Sequence, residues 1–200
     1  MNFVIWDLDG TLIDSYTKIN DTLYLLFKEL GLDINKEDIY KYIKINSVHD
    51  LLNRLSMKYD NVHELYNQIY NRLDYENKLI NNANYILEYL NKHNYYQIIY
   101  THKGLDTFKI IKDLDIDKYF IEVITANNGF KRKPDPEVMK YLRNKYNIDK
   151  AYYVGDRLLD MEFAYNSQID GILYLDNDFI KANNQERYII NNLKDIDKIL

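Results

Sequence analysis

Residues 1–15 read Met1-Asn2-Phe3-Val4-Ile5-Trp6-Asp7-Leu8-Asp9-Gly10-Thr11-Leu12-Ile13-Asp14-Ser15. Phe3 to Trp6 is an apolar run too short for a helix and bounded by turn formers. It predicts a buried strand in the middle of a parallel sheet. At its carboxyl end stand Asp7 and Asp9, two positions apart, then Gly10 and Thr11. In an open α/β sheet the crevice past the carboxyl ends of the strands receives ligands. Two carboxylates placed there repel each other and lose hydration, so they need a cation or shifted pKa values. Gly10 lets the backbone turn sharply away. Asp-Leu-Asp-Gly alone equally describes an acidic turn whose residues serve turn chemistry only; the rest of the chain decides between the two.

Working outward, Ile19, Leu23, Leu26 and Leu30 form a helical stripe, with Ser15 as a candidate N-cap and Gly31 as its stop. Three more helical segments follow with no strand between them. Asn35 can cap the first (39–45), Ser47 the second (Leu51, Leu52, Leu55) and Asp60 the third (Leu65, Ile69, Leu73). A run of helices interrupting a strand–helix alternation predicts an inserted all-helical subdomain. It is placed at residues 15–79, leaving 1–14 and 80–200 as the α/β core.

The alternation resumes with a helix at 83–92 and a strand at 97–100 that ends at Thr101. A helix (105–114), a strand (121–124), a long loop and a helix (137–146) come next. Tyr152-Tyr153-Val154 is a strand ending at Gly155-Asp156, Leu158 to Tyr165 a short helix, and 172–175 the last clear strand. Two weaker helices, at 185–191 and 196–200, close the chain. The expected fold is a doubly wound, Rossmann-like parallel sheet of about five strands, with the helical insert after the first.

Asp7 and Asp9, Thr101-His102, and Gly155-Asp156 would then meet on one edge of that sheet. A fourth segment, Lys133-Pro134-Asp135-Pro136, lies on the long loop and holds both prolines of the chain, which stiffen the loop that aims Lys133. Taken singly, each has a plain reading: Thr101 a strand-end residue, Lys133 a solvated loop lysine, Gly155-Asp156 a turn. Together, four segments far apart in sequence could bring three acids, a hydroxyl and an ammonium group to one place.

Asp7-Leu8-Asp9-Gly10-Thr11, Thr101, Lys133 and Gly155-Asp156 with Asp160 resemble, in order and spacing, the four motifs of the haloacid dehalogenase superfamily. The helical insert resembles that family's small cap, and the resemblance spans the whole chain. It points to the branch of phosphoglycolate phosphatases and β-phosphoglucomutases. It implies Asp7 as the nucleophile and Asp9 as the general acid/base, an acid absent from the dehalogenase branch. Thr101 and Lys133 would hold the phosphoryl oxygens, with His102 either at the substrate or lining the cap. Mg²⁺, a hard ion suited to oxygen ligands, would be held by Asp7, the backbone carbonyl of Asp9, and Asp156. Asp160 would reach the metal through water or hold Lys133.

In this branch the cap selects substrates. Residues 44–49 lack the glycine that relatives carry in a cap segment dipping into the site, and the mutases' nearby arginine is absent too. A Mg²⁺-dependent phosphatase acting on a small phosphorylated metabolite is therefore the leading expectation. A phosphomutase, or a non-catalytic binding protein on the same scaffold, stands as the alternative.

Bulk properties agree. Two hundred residues, 46% apolar and 28% charged, suit one compact domain with a modest insert. A net charge of −5 with no basic run speaks against nucleic acid or an anionic membrane as partner. No run reaches membrane-span length, no secretory signal is expected, and the absence of cysteine rules out disulfides and Cys-ligated metal. A cytoplasmic monomer or weak homodimer is expected. The 21 tyrosines are taken mainly as compositional bias; pairs such as Tyr95-Tyr96 and Tyr152-Tyr153 are expected to turn one ring inward and one to solvent. His49, His63 and His93 are expected at helix surfaces, and Arg157 has no assigned role.

Overall fold

The computed structural model describes residues 1–200, which divide into two compact units, Met1–Asp14 with Asn77–Leu200, and Ser15–Glu76.

The larger unit is built on a parallel sheet. Its strands are β1 (Asn2–Trp6), β2 (Tyr96–Tyr100), β3 (Phe120–Ile124), β4 (Lys150–Gly155), β5 (Asp170–Tyr174) and β6 (Tyr188–Ile190), in the order β3-β2-β1-β4-β5-β6. β1 pairs with β2 on one side and β4 on the other. The order reverses there, so the switch point at which open α/β sheets bind ligands falls between β1 and β4. Both faces are covered, which explains why β1 reads as continuous apolar sequence rather than as an alternation. Val4 and Trp6 join one core with Ile86, Leu87 and Leu90. Phe3 and Ile5 join the other with Val138, Leu142 and Phe163.

The doubly wound fold is as expected, with four details that differ. The sheet has six strands, not about five, and the sixth occupies a stretch expected to be helical. Tyr188–Ile190 is only three residues long and follows a polar run, so it carries no period of its own; pairing with the edge of β5 makes it a strand. Residues 193–198 are a 3₁₀ segment rather than an α-helix. Tyr152 and Tyr153 are both buried, one on each face of β4, because that central strand has no solvent side.

The flanking helices of this unit are α5 (Ala83–Lys92), α6 (Asp106–Asp113), α7 (Glu137–Lys145) and α8 (Leu158–Asn166). A buried polar link ties the first of these to the sheet. The Trp6 indole N–H donates to Gln97 Oε1 (3.1 Å), and Gln97 Nε2 donates to the Leu87 carbonyl (2.8 Å).

The smaller unit is all-helical: α1 (Tyr16–Glu29), α2 (Lys36–Ile45), α3 (Val48–Ser56) and α4 (Val62–Arg72). Its core gathers Leu23, Leu26, Ile39, Ile43, Leu52, Val62 and Ile69. Asn35 and Ser47 cap α2 and α3 by accepting from Asp38 N and Asp50 N. The cap of α4 is Asn61, in the left-handed region at φ 56°, rather than Asp60. Ser15 sits at the start of α1 without a side-chain capping bond. Gly31 (φ 72°) does end α1, where Leu32 N–H reaches back to the Phe27 carbonyl (2.8 Å). His49 and His63 face each other at 5.7 Å, and no helix is long and apolar enough to cross a membrane.

Candidate active site

The strand ends build the site. Asp7 N–H donates to the Val154 carbonyl (2.8 Å) and Thr101 N–H to the Ile124 carbonyl (2.9 Å), each continuing a sheet ladder one step past its strand. Both residues are therefore fixed by backbone before their side chains act. Gly10, at φ 79°, turns the chain, and Gly10 N–H closes a loop onto the Ile13 carbonyl (2.8 Å). Inside that loop Thr11, fully buried, donates its hydroxyl to Asp156 Oδ1 (3.3 Å).

Asp7, Asp156 and Asp160 are all buried, with one carboxylate oxygen of each within 4.8 Å of the others. Lys133 reaches into this group and is 7% exposed. Its Nζ lies 2.6 Å from Asp7 Oδ1 and 2.7 Å from Asp160 Oδ1. The other Asp160 oxygen accepts from Arg157 N–H (3.2 Å), and Asp160 N–H donates back to the Arg157 carbonyl (3.0 Å). Asp160 can approach so closely because residue 155 is glycine: a Cβ there would stand 2.4 Å from Asp160 Cβ. The ammonium of Lys133 also lies 5.3 and 5.2 Å from the ring centres of Tyr100 and Tyr153.

Charge does not balance in this cluster. Three buried carboxylates face one buried ammonium. Burial pushes the Asp7 carboxyl up to about 8; Lys133 pulls it down, and Asp160 and Asp156 add to the rise. Burial works against the Lys133 charge too, but Asp160 and Asp7 outweigh it and hold the ammonium above its ordinary range. A second cation would offset the excess of negative charge. The donors are oxygens only, which fits a hard divalent ion such as Mg²⁺. Asp7, Asp156 and Asp160 are the carboxylates that could hold it, with Asp160 also engaged by Lys133 and Arg157.

Asp9 stands apart from the three acids. Its Oδ1 lies 3.0 Å from the Nζ of Lys103, a residue missed in the sequence reading. The available signal was position: Lys103 is the second residue past Thr101, on the same strand-end turn, and its N–H donates to Thr101 Oγ1 (3.1 Å). Thr101, 1% exposed, thus accepts through its oxygen and keeps its hydroxyl proton to donate. His102, expected at the substrate or the cap, uses Nε2 to accept the Lys133 backbone N–H (2.9 Å). A groove of about 830 Å³ includes Lys150, Asp170 and Gly171 at the amino ends of β4 and β5, the edge opposite these groups.

A family model, haloacid dehalogenase-like hydrolase, matches residues 4–174. No functionally curated protein matches the sequence. Among solved structures, a hydrolase from Streptococcus pneumoniae TIGR4 is 29% identical, with 86% of this chain and 91% of that one covered and a TM-score of 0.67. Two more distant structures share the fold. A haloacid dehalogenase-superfamily hydrolase of subfamily IA from Geobacter sulfurreducens PCA is 20% identical, with coverage of 100% and 96% and a TM-score of 0.73. A predicted phosphoglycolate phosphatase from Haemophilus somnus 129pt is 19% identical, with coverage of 98% and 96% and a TM-score of 0.82. With most of its length matched, and with its acids, lysine and threonine gathered past the strand ends of a six-stranded parallel sheet, the chain belongs to the haloacid dehalogenase-like hydrolase family.

Proposed function

We propose that this protein is a Mg²⁺-dependent phosphatase that hydrolyses a small phosphate monoester through an aspartyl phosphate on Asp7. The observation that carries the reading is the buried Asp7–Lys133 pair at the β1/β4 switch point, with Asp156 beside it. A carboxylate and an ammonium held 2.6 Å apart are the two groups that an in-line phosphoryl transfer needs at its centre. Mg²⁺ at Asp7 and Asp156 would neutralise charge between nucleophile and phosphoryl oxygens.

In the first step an Asp7 oxygen attacks phosphorus and the bond to the leaving oxygen breaks, while Asp9 delivers the proton that oxygen takes up. Lys133 and the Thr101 hydroxyl hold the remaining phosphoryl oxygens. In the second step Asp9, now a carboxylate, takes a proton from water, whose oxygen attacks phosphorus and releases Asp7 and inorganic phosphate. Lys103, paired with Asp9, keeps that carboxylate at a defined place on the rim.

The Haemophilus relative's description makes 2-phosphoglycolate the first ester to assay. A monomer or weak homodimer acting in the cytoplasm, without nucleic acid or membrane, completes the proposal. A panel of phosphate monoesters with Mg²⁺, read by released phosphate, tests it together with Asp7→Asn. The amide cannot attack phosphorus, so turnover should vanish while the melting curve stays that of a folded protein. Substantial turnover by purified Asp7→Asn would sink the nucleophile assignment.

A further inference from the structure

Lys133 is a long side chain on an irregular loop between β3 and α7, yet it must meet a phosphoryl oxygen to within a few tenths of an ångström. Its tip is held by Asp7 and Asp160. Its backbone is held from elsewhere. In extended chain, alternate residues face one side, and Thr101 continues the β2 ladder, so Tyr100 and His102 share a side opposite to Thr101. Tyr100 donates its hydroxyl to the Lys131 carbonyl (3.2 Å), and His102 Nε2 accepts the Lys133 N–H (2.9 Å). Two residues, two apart on a strand end, thus grip two residues, two apart on the loop.

The ring atoms fit that role. To accept from Lys133 N–H, Nε2 must present its lone pair, which places the proton of the neutral ring on Nδ1. Burial, with Lys133, Arg132 and Arg157 around it, keeps the ring neutral by lowering its pKa to about 3. The Tyr100 ring meets His102 edge-on, at 6.1 Å and 79°, and its hydroxyl rests on the loop carbonyl. The Tyr100 carbonyl accepts in turn from Tyr153 (3.2 Å), so the grip is anchored to β4.

We propose that Tyr100 and His102 are positioning residues that clasp the Lys131–Lys133 backbone and set where the Lys133 ammonium stands, His102 acting through Lys133 rather than on the substrate. The proposal rests on Lys133 being the phosphoryl-binding cation. The strand end then carries two tasks on opposite sides: Thr101 offers its hydroxyl to the phosphate, while its neighbours hold the lysine that shares the load.

The test uses His102→Leu, His102→Gln, Lys133→Met and the double variant His102→Leu/Lys133→Met. All are assayed on p-nitrophenyl phosphate in saturating Mg²⁺, with inorganic phosphate as competitive inhibitor and a melting curve for each protein. Leucine keeps bulk and removes the acceptor. Loss of the grip lets the ammonium drift, and a displacement of about 1 Å is worth on the order of 10²-fold in rate. His102→Leu should therefore lower kcat about 10- to 100-fold and weaken phosphate inhibition. His102→Gln, whose amide oxygen falls near the Nε2 position, should restore most of both. In the Lys133→Met background, adding His102→Leu should change kcat less than about threefold.

An equal His102→Leu penalty with and without Lys133 would overturn the clasp and return His102 to direct substrate contact. Glutamine as damaging as leucine, or leucine without effect, would overturn it as well. If Lys133→Met itself keeps full kcat, the assignment of Lys133 fails instead, whatever His102 does. Should His102→Leu not fold, Tyr100→Phe removes only the hydroxyl grip on Lys131; it should lower kcat in the same Lys133-dependent way, and an unchanged kcat there would refute the clasp.

Discussion

Gly155→Ala tests the geometry of the site more sharply than removal of any charged group. Residue 155 ends β4, and a Cβ there would lie 2.4 Å from both Cβ and Cγ of Asp160 and 2.6 Å from its Oδ2. Ordinary carbon contacts begin near 3.5 Å, so something must move by about 1 Å. Asp160 cannot escape by rotating, because its own Cβ is among the clashing atoms. Nor can α8 slide back freely: Met161, Phe163 and Ala164 beside Asp160 are fully buried. Forcing a methyl group into such a place costs about 1–3 kcal/mol of stability. The same displacement pulls Asp160 Oδ1 off Lys133 Nζ, now 2.7 Å away, and frees the ammonium that faces Asp7. A loss of about 10²-fold in kcat follows from an error of that size. The assay is p-nitrophenyl phosphate turnover in Mg²⁺ beside a urea melt. Gly31→Ala is the control: its φ of 72° makes it strained, with no atom within 4 Å of the added Cβ. It should cost about 1 kcal/mol and leave kcat alone. If Gly155→Ala keeps kcat within twofold and an unchanged urea midpoint, the contact between Gly155 and Asp160 does not position Lys133.

Three further outcomes are expected. Activity should need Mg²⁺, vanish in excess chelator and fall in Ca²⁺, whose larger coordination number pulls the attacking carboxylate out of line; full turnover in chelator would refute a hard-ion site at Asp7 and Asp156. Asp9→Ala should slow alkyl phosphates by about 10²–10⁴ but spare the first step with p-nitrophenyl phosphate, whose leaving group needs no proton, so that a nitrophenol burst precedes slow turnover. Equal slowing of first-step rates for both substrates would end the acid/base assignment. His102 has its folded pKa lowered from 6.5 to about 3 by burial and the cations Lys133, Arg132 and Arg157. The unfolded chain therefore binds the extra proton between those values, and stability should fall as pH drops below about 6.5, by up to ~1.4 kcal/mol per pH unit; urea melts at pH 7 and 5 should show a smaller loss in His102→Gln than in wild type, and equal losses would contradict a neutral buried ring.

Which groups gather past the strand ends was largely legible in the linear order, and the reason is local. A four-residue apolar run followed by paired acids and a glycine needs a strand, a turn and a charge partner whatever surrounds it; Thr101 and Gly155-Asp156 repeat that logic at their own strand ends, while Lys133 stands on the loop before α7. Helix stripes, the Asn35 and Ser47 caps and the Gly31 stop are equally short-range. What the tertiary structure decided are contacts between residues far apart in the chain. Tyr188–Ile190 becomes a strand only because β5 presents an open edge. Tyr152 is buried only because β4 lies between two strands with both faces covered. The pairing of Lys103 with Asp9, and of His102 with the Lys133 backbone, comes from loops brought together by the sheet. Lys133 and Asp7 are 126 residues apart in sequence and 2.6 Å apart in space. Periodicity and turn chemistry act over a few residues, so a sequence can announce which groups a site holds; which group holds which is settled by packing, where the same lysine could have met any of three acids and was placed between two of them.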